Sequence, residues 1–184
     1  MSTPGAPEPA KLVAGFFTMD KTIVGSVVRE LCKAFGPVDL VSVWFPFDYT
    51  CYYEPEMGRP LFRRMFAFKT LISQSELTQI KLLTNDIEKK YLKTGRRIVN
   101  IDPGYMIHPR FVLASGKNFA HRIYIGKGVY ADLTLTYTRG KFCKLPWTYP
   151  DYAADNMLAF LMQVRKKYIV DCRLESIKKI TAGE

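Results

Sequence analysis

No stretch of about 18 consecutive apolar residues, the length a membrane-spanning helix needs, occurs anywhere in the chain. The first ten residues have neither the basic start nor the apolar stretch of an export signal. Histidine is scarce, with only His108 and His121, which excludes chemistry built on several imidazoles. The four cysteines, Cys32, Cys51, Cys143 and Cys172, are scattered without any Cys-x-x-Cys pair, which argues against a zinc site. Reduced thiols in a cytoplasmic protein are the expectation. Also missing are the Gly-x-x-x-x-Gly-Lys phosphate loop, the Gly-x-Gly-x-x-Gly dinucleotide turn, the Gly-x-Ser-x-Gly elbow and the His-Glu-x-x-His metal helix. Neither histidine sits in a His-x-Thr or His-x-Ser pair, so the familiar hydrolase and nucleotidase classes find no foothold.

What remains is the composition of an ordinary globular chain, 48% hydrophobic and 24% charged over 184 residues, enough for one domain with a full core. The net charge of +10 is unevenly spread. Residues 1–60 carry 5 Lys/Arg against 7 Asp/Glu, a net of −2, whereas residues 61–184 carry 22 against 10, a net of +12. A basic excess of that kind attracts phosphates, acidic metabolites or nucleic acid.

Residues 1–10 combine Pro, Gly, Ser and Ala without periodicity and predict a disordered lead-in. A single α+β domain is expected over 11–172, with a basic tail at 173–184. Leu12 to Phe17 reads as a buried strand, and Asp20 caps a helix carrying Val24, Val27, Val28, Leu31 and Phe35. Strands follow at 38–47 and 61–72. Ser73 and Glu76 form a capping box before a helix with Leu77, Ile80, Leu83, Ile87 and Tyr91. Arg97 to Ile101 is a strand running into a tight turn at Asp102-Pro-Gly-Tyr105. A short strand at 111–115, a hairpin of 122–125 with 129–138, a Pro-aromatic loop at 145–152 and a last helix from Asp151 or Asp155 complete the chain. The order predicts a ferredoxin-like β-α-β-β-α-β arrangement extended by a β-hairpin and a C-terminal helix, with a mixed or antiparallel sheet.

Several constellations could carry chemistry. Pairing Ile125 with Val129 sets Arg122 opposite Asp132 and Tyr124 opposite Tyr130. Ile123, Val129, Ala131, Leu133 and Leu135 then turn to the core. Arg122 becomes a candidate anion clamp oriented by Asp132. Asp102, at a strand end, is a candidate ligand or catalytic carboxylate, with Tyr105 beside it. His121 is the one candidate base next to an arginine. Glu54 and Glu56 lie two apart and, with Asp102, Asp132 and His121, could hold Mg²⁺. Arg63 and Arg64 add donors, Arg64 as a ligand contact. Lys81, Asn85 and Glu88 fall on one stripe of the second helix and read as solvated surface. These residues predict a polar cleft for a small anionic or nucleotide ligand, with enzymatic activity left open. The basic excess and the aromatic-basic strand 62–69 keep a non-enzymatic nucleic-acid-binding module as the alternative, and a structural or partner-binding protein is a third.

The set Phe35-Gly-Pro-Val-Asp39, Tyr52-Tyr-Glu54, Glu56-Met-Gly58, Lys81-Leu-Leu-Thr-Asn85, Asn100-Ile-Asp-Pro-Gly-Tyr105, His121-Arg-Ile-Tyr124 and Trp147-Thr-Tyr-Pro-Asp-Tyr152 resembles the prokaryotic family catalogued as domain of unknown function 4416. The resemblance implies a bacterial or archaeal protein consisting of essentially this domain. It assigns no activity and no catalytic residue.

Overall fold

β1 (Ala10–Thr18) is buried along its whole length, as a nearly unbroken apolar run should be when both faces of a sheet are covered. The computed structural model describes residues 3–182; residues 1–2 of the expected lead-in and 183–184 of the expected tail lie outside the described residues. A short 3₁₀ turn follows β1, capped by the Asp20 carboxylate, which accepts the Thr22 N–H at 2.9 Å. It leads into α1 (Val24–Phe35), which stops at Gly36 with φ +84°.

The expected strand at 38–47 is two pieces, β2 (Val38–Val41) and β3 (Phe45–Pro46), both paired with β4 (Phe62–Ile72). The break falls where the Ser42 hydroxyl accepts the Met65 N–H in place of a backbone carbonyl. The loop before β4 holds one helical turn, α2 (Glu54–Met57). The Ser73/Glu76 capping box is present and opens into α3 (Leu77–Lys89). A small separate ribbon, β5 (Leu92–Lys93) with β6 (Arg96–Arg97), precedes the second half of the main sheet. That half consists of β7 (Asn100–Ile107), β8 (Arg110–Ser115), β9 (Arg122–Gly126), β10 (Val129–Thr138) and β11 (Lys141–Lys144). The last helix, α4 (Asp155–Ala182), continues through residues expected to form the basic tail.

The nine-stranded sheet is antiparallel throughout, in the order β11-β10-β8-β7-β1-β4-β2, with β9 also on β10 and β3 also on β4. Side chains alternate across β1. Leu12, Ala14 and Phe16 pack with Val27 and Leu31 of α1 and Ile80 and Ile87 of α3. Val13 packs with Met157, Leu161 and Val164 of α4 on the other face. The protein is therefore a mixed α/β domain whose sheet lies between α1/α3 and α4.

The segment Asp102-Pro-Gly-Tyr105 corrects the expected turn: it is extended, inside β7, with Asp102 opposite Gly15 and Tyr105 opposite Leu12. Proline is tolerated because the missing N–H lies on the side where β8 has not yet joined; pairing there begins at Gly104–Leu113. Glycine serves close approach rather than a reversal, since a Cβ at Gly104 would stand 2.4 Å from the Val112 carbonyl oxygen. Gly104→Ala should push β7 and β8 apart at a cost of about 1–3 kcal/mol. Urea denaturation reads this directly, and an unchanged midpoint would show that β8 can retreat freely.

Candidate functional site in the split of the sheet

Beyond Gly104, β7 and β8 diverge. The N–H and C=O of Ile101 consequently have no strand partner on that side. They are met instead by α3: the Glu88 carboxylate accepts the Ile101 N–H at 2.7 Å, and Lys81 Nζ donates to the Ile101 carbonyl at 3.1 Å. This corrects the reading of Lys81 and Glu88 as solvated surface, for their relative exposures are 8% and 4%. Burial pushes the Glu88 carboxyl above its ordinary range.

The split opens into a cleft of about 580 Å³, within the size range of small-molecule sites. One wall comes from β4, β7 and α3, with Arg63, Asn100, Asp102, Lys81 and Asn85; the opposite wall comes from β8, its following loop and β10, with Leu113 to Lys117 and Asp132. Tyr49, Tyr52, Tyr53, Tyr149 and Tyr152 supply aromatic surface between them.

On the first wall Arg63 is 4% exposed and divides its guanidinium between two carboxylates, donating from Nη1 to Asp151 and from Nη2 to Asp102 at 3.3 Å. Phe17, Phe47 and Tyr152 surround it, with ring centroids 4.5 to 5.2 Å away. Burial pushes the Asp151 carboxyl up against the pull of Arg63. The same wall holds two buried polar atoms without a hydrogen bond, Arg63 Nε and Tyr152 Oη. Asp102 also accepts from Asn100 Nδ2 at 2.9 Å, and Arg97 links Asn100 to Glu88 and Glu56.

On the second wall the expected pairs Arg122/Asp132 and Tyr124/Tyr130 are cross-strand neighbours, while Val129 pairs with Gly126 rather than Ile125 because of an irregularity beside the turn. Asp132 accepts from Arg122 Nε at 2.9 Å and lies 3.3 Å from His121 Nε2. Arg122 also donates to the Lys117 carbonyl and to the Tyr149 hydroxyl. Both faces of β10 are covered here: Val129 and Leu135 are core, as expected, but the polar face is buried as well. Asp132 and Thr134 are enclosed while Ile123 is 72% exposed, contrary to the expectation that Ile123 turns inward. A register shift at Thr134 and the 145–152 segment explain it: Trp147 Nε1 donates to the Leu133 carbonyl and Thr148 Oγ1 to the Thr134 carbonyl, sealing that face.

Asp102 and Asp132 thus share the cleft, and Arg122 stands behind Asp132. His121 is not on the cleft lining; it stacks on Trp147 at 5.0 Å and 9° and supports Asp132. Tyr105 is core, on the face toward α3. Tyr124 is 60% exposed beside Tyr130. Arg64 points to the opposite face from Arg63 and donates to the Ser42 carbonyl at 3.0 Å, as strand alternation requires. Glu54 is near Arg59 at 3.5 Å, and Glu56 is clamped by Arg97 through two 2.7 Å hydrogen bonds, which hold its carboxyl below the usual range. Neither lines the cleft, and among the described residues no three His, Cys, Asp or Glu side chains converge on a point suited to a metal ion. No helix among the described residues is long and apolar enough to cross a membrane.

The geometry defines a mixed α/β domain with one polar, tyrosine-lined cleft where its central sheet divides. The chain belongs to the family described as domain of unknown function (DUF4416), whose model matches residues 8–168. No curated protein and no solved structure matches it.

Proposed function

We propose that the cleft binds a small anionic ligand of up to nucleotide size, and we read the β7-β1-β4-β2 core beneath it as ferredoxin-like. The observation that carries the reading is Lys117. Lys117 lines the cleft, its ammonium group donates to the Tyr52 hydroxyl at 2.7 Å and lies 3.9 Å from the centroid of that ring, and it has no carboxylate partner among the described residues. Lys81, the other cleft lysine without an ion pair among the described residues, donates to the Ile101 carbonyl on the Asp102 wall. The free cysteines fit a reducing, cytoplasmic setting. The basic excess beyond residue 60 keeps nucleic-acid binding second, because the unpaired cations named here lie inside a concave site rather than along a surface.

Inorganic pyrophosphate and ribose 5-phosphate are the probes. Each should raise the melting temperature in a saturable way, since a ligand of the native state stabilises it. Lys117→Ala should weaken that binding about tenfold, the loss of roughly one charge-assisted hydrogen bond. Equal affinity in the variant and the parent would remove Lys117 as the anion anchor.

A further inference from the structure

The two walls of the split differ in charge. Around Asp102, the cations Arg63, Lys81 and Arg97 face four carboxylates, Glu56, Glu88, Asp102 and Asp151. Around Lys117, the only carboxylate bonded to Lys117 or Arg122 among the described residues is Asp132, whose Oδ2 already takes Arg122 and His121 and whose Oδ1 takes Thr134 Oγ1. A phosphate is favoured on the second wall and disfavoured on the first.

The spare hydrogen-bonding capacity follows the same division. Each Asp102 oxygen accepts a single hydrogen bond, from Asn100 or from Arg63, so lone pairs remain on both. The side chain is 24% exposed toward the cleft. Asn85 lines the same wall and offers both amide atoms. A group that meets Asp102 must bring a hydrogen-bond donor. The space between the walls is bounded by Tyr49, Tyr53 and Tyr149, faces that favour a flat ring.

Resting on the reading that the cleft takes an anion, we infer that its ligand is a nucleoside phosphate with an amino-substituted base. The amino group donates to Asp102 on the β7 wall, and the phosphate meets Lys117 on the opposite wall. The ligand is dipolar because the cleft is.

Isothermal titration of the full chain with matched nucleotides tests this. AMP and purine riboside 5′-monophosphate differ only by the amino group at C6. GMP and IMP differ only by the amino group at C2. CMP is paired with 2-pyrimidinone riboside 5′-monophosphate. In at least one pair the aminated member should bind about tenfold or more tightly, the usual worth of a hydrogen bond to a charged group. Asp102→Ala should abolish that preference while leaving ribose 5-phosphate affinity within about twofold. Asp102→Asn, which keeps the shape beside Arg63, should reduce the preference and serves if the alanine variant does not fold. Equal affinity within every pair, with ribose 5-phosphate still binding through Lys117, overturns the inference and leaves the anion reading intact. Failure of pyrophosphate and of every nucleotide to saturate overturns both.

Discussion

Arg63→Ala should destabilise the protein by about 3–5 kcal/mol, the range for removing one partner of a buried ion pair. Among the described residues Arg63 is the only cation that bonds Asp151, itself 7% exposed, and it also holds Asp102. Without it the two carboxylates face each other across an apolar box of Phe17, Phe47 and Tyr152. Arg63→Met separates the causes, because it refills most of the volume but not the charge. If electrostatics dominate, methionine recovers little. The deficit of either variant should shrink as pH falls into the carboxylate range, where protonation removes the uncompensated charges. Urea denaturation at several pH values gives the answer, and a deficit below about 1 kcal/mol at neutral pH would mean that Arg63 does not hold this wall together.

Lys11→Met is expected to cost about 3 kcal/mol by the same mechanism. Lys11 is fully buried in β1, and its three ammonium protons go to Asp39 Oδ2 at 2.9 Å, Asp171 Oδ2 at 2.7 Å and the Phe68 carbonyl at 2.8 Å. One side chain thereby ties the central strand, the start of β2 and the far half of α4. Burial alone would raise the Asp171 carboxyl, yet hydrogen bonds from Lys11 and Lys167 outweigh it and leave it below the ordinary value. A depressed carboxyl adds stability above the unfolded value, about 3.9, and that stability is lost as pH falls through the folded one. Lys11→Met should therefore lose stability at neutral pH and show a flatter acid limb. A parallel acid limb in variant and parent would assign the acid sensitivity elsewhere.

Much of the fold was legible because local and global signals agreed. The Ser73/Glu76 box, the Asp20 cap and the alternation in β1 each follow from one residue's neighbours in sequence. The Arg122/Asp132 pairing was legible too, since a hairpin with glycines at its turn leaves few registers. Asp102-Pro-Gly misled because proline and glycine signal a turn in isolation. In the sheet they answer to an absent strand neighbour and to the 2.4 Å gap before Val112. The burial of Lys81 and Glu88 could not be read from helix periodicity, as it depends on a backbone edge exposed by two strands that part. Arg63 could have been separated from Arg64 by alternation alone, yet its partner Asp151 lies 88 residues away. Lys117 carried no sequence signal beyond its charge, for its significance comes from lacking a carboxylate.

The most direct test of the cleft is a chemical-shift map of the backbone amides of the isotope-labelled chain during titration with AMP. Binding in the split predicts saturable shifts concentrated at Ser115, Gly116 and Lys117, at Ile101 and Asp102, and at Tyr149, with the Lys117 group attenuated in Lys117→Ala. Saturable shifts confined to another surface, or no saturable shift with AMP, ribose 5-phosphate or pyrophosphate, would contradict the claim that this cleft is the protein's ligand site.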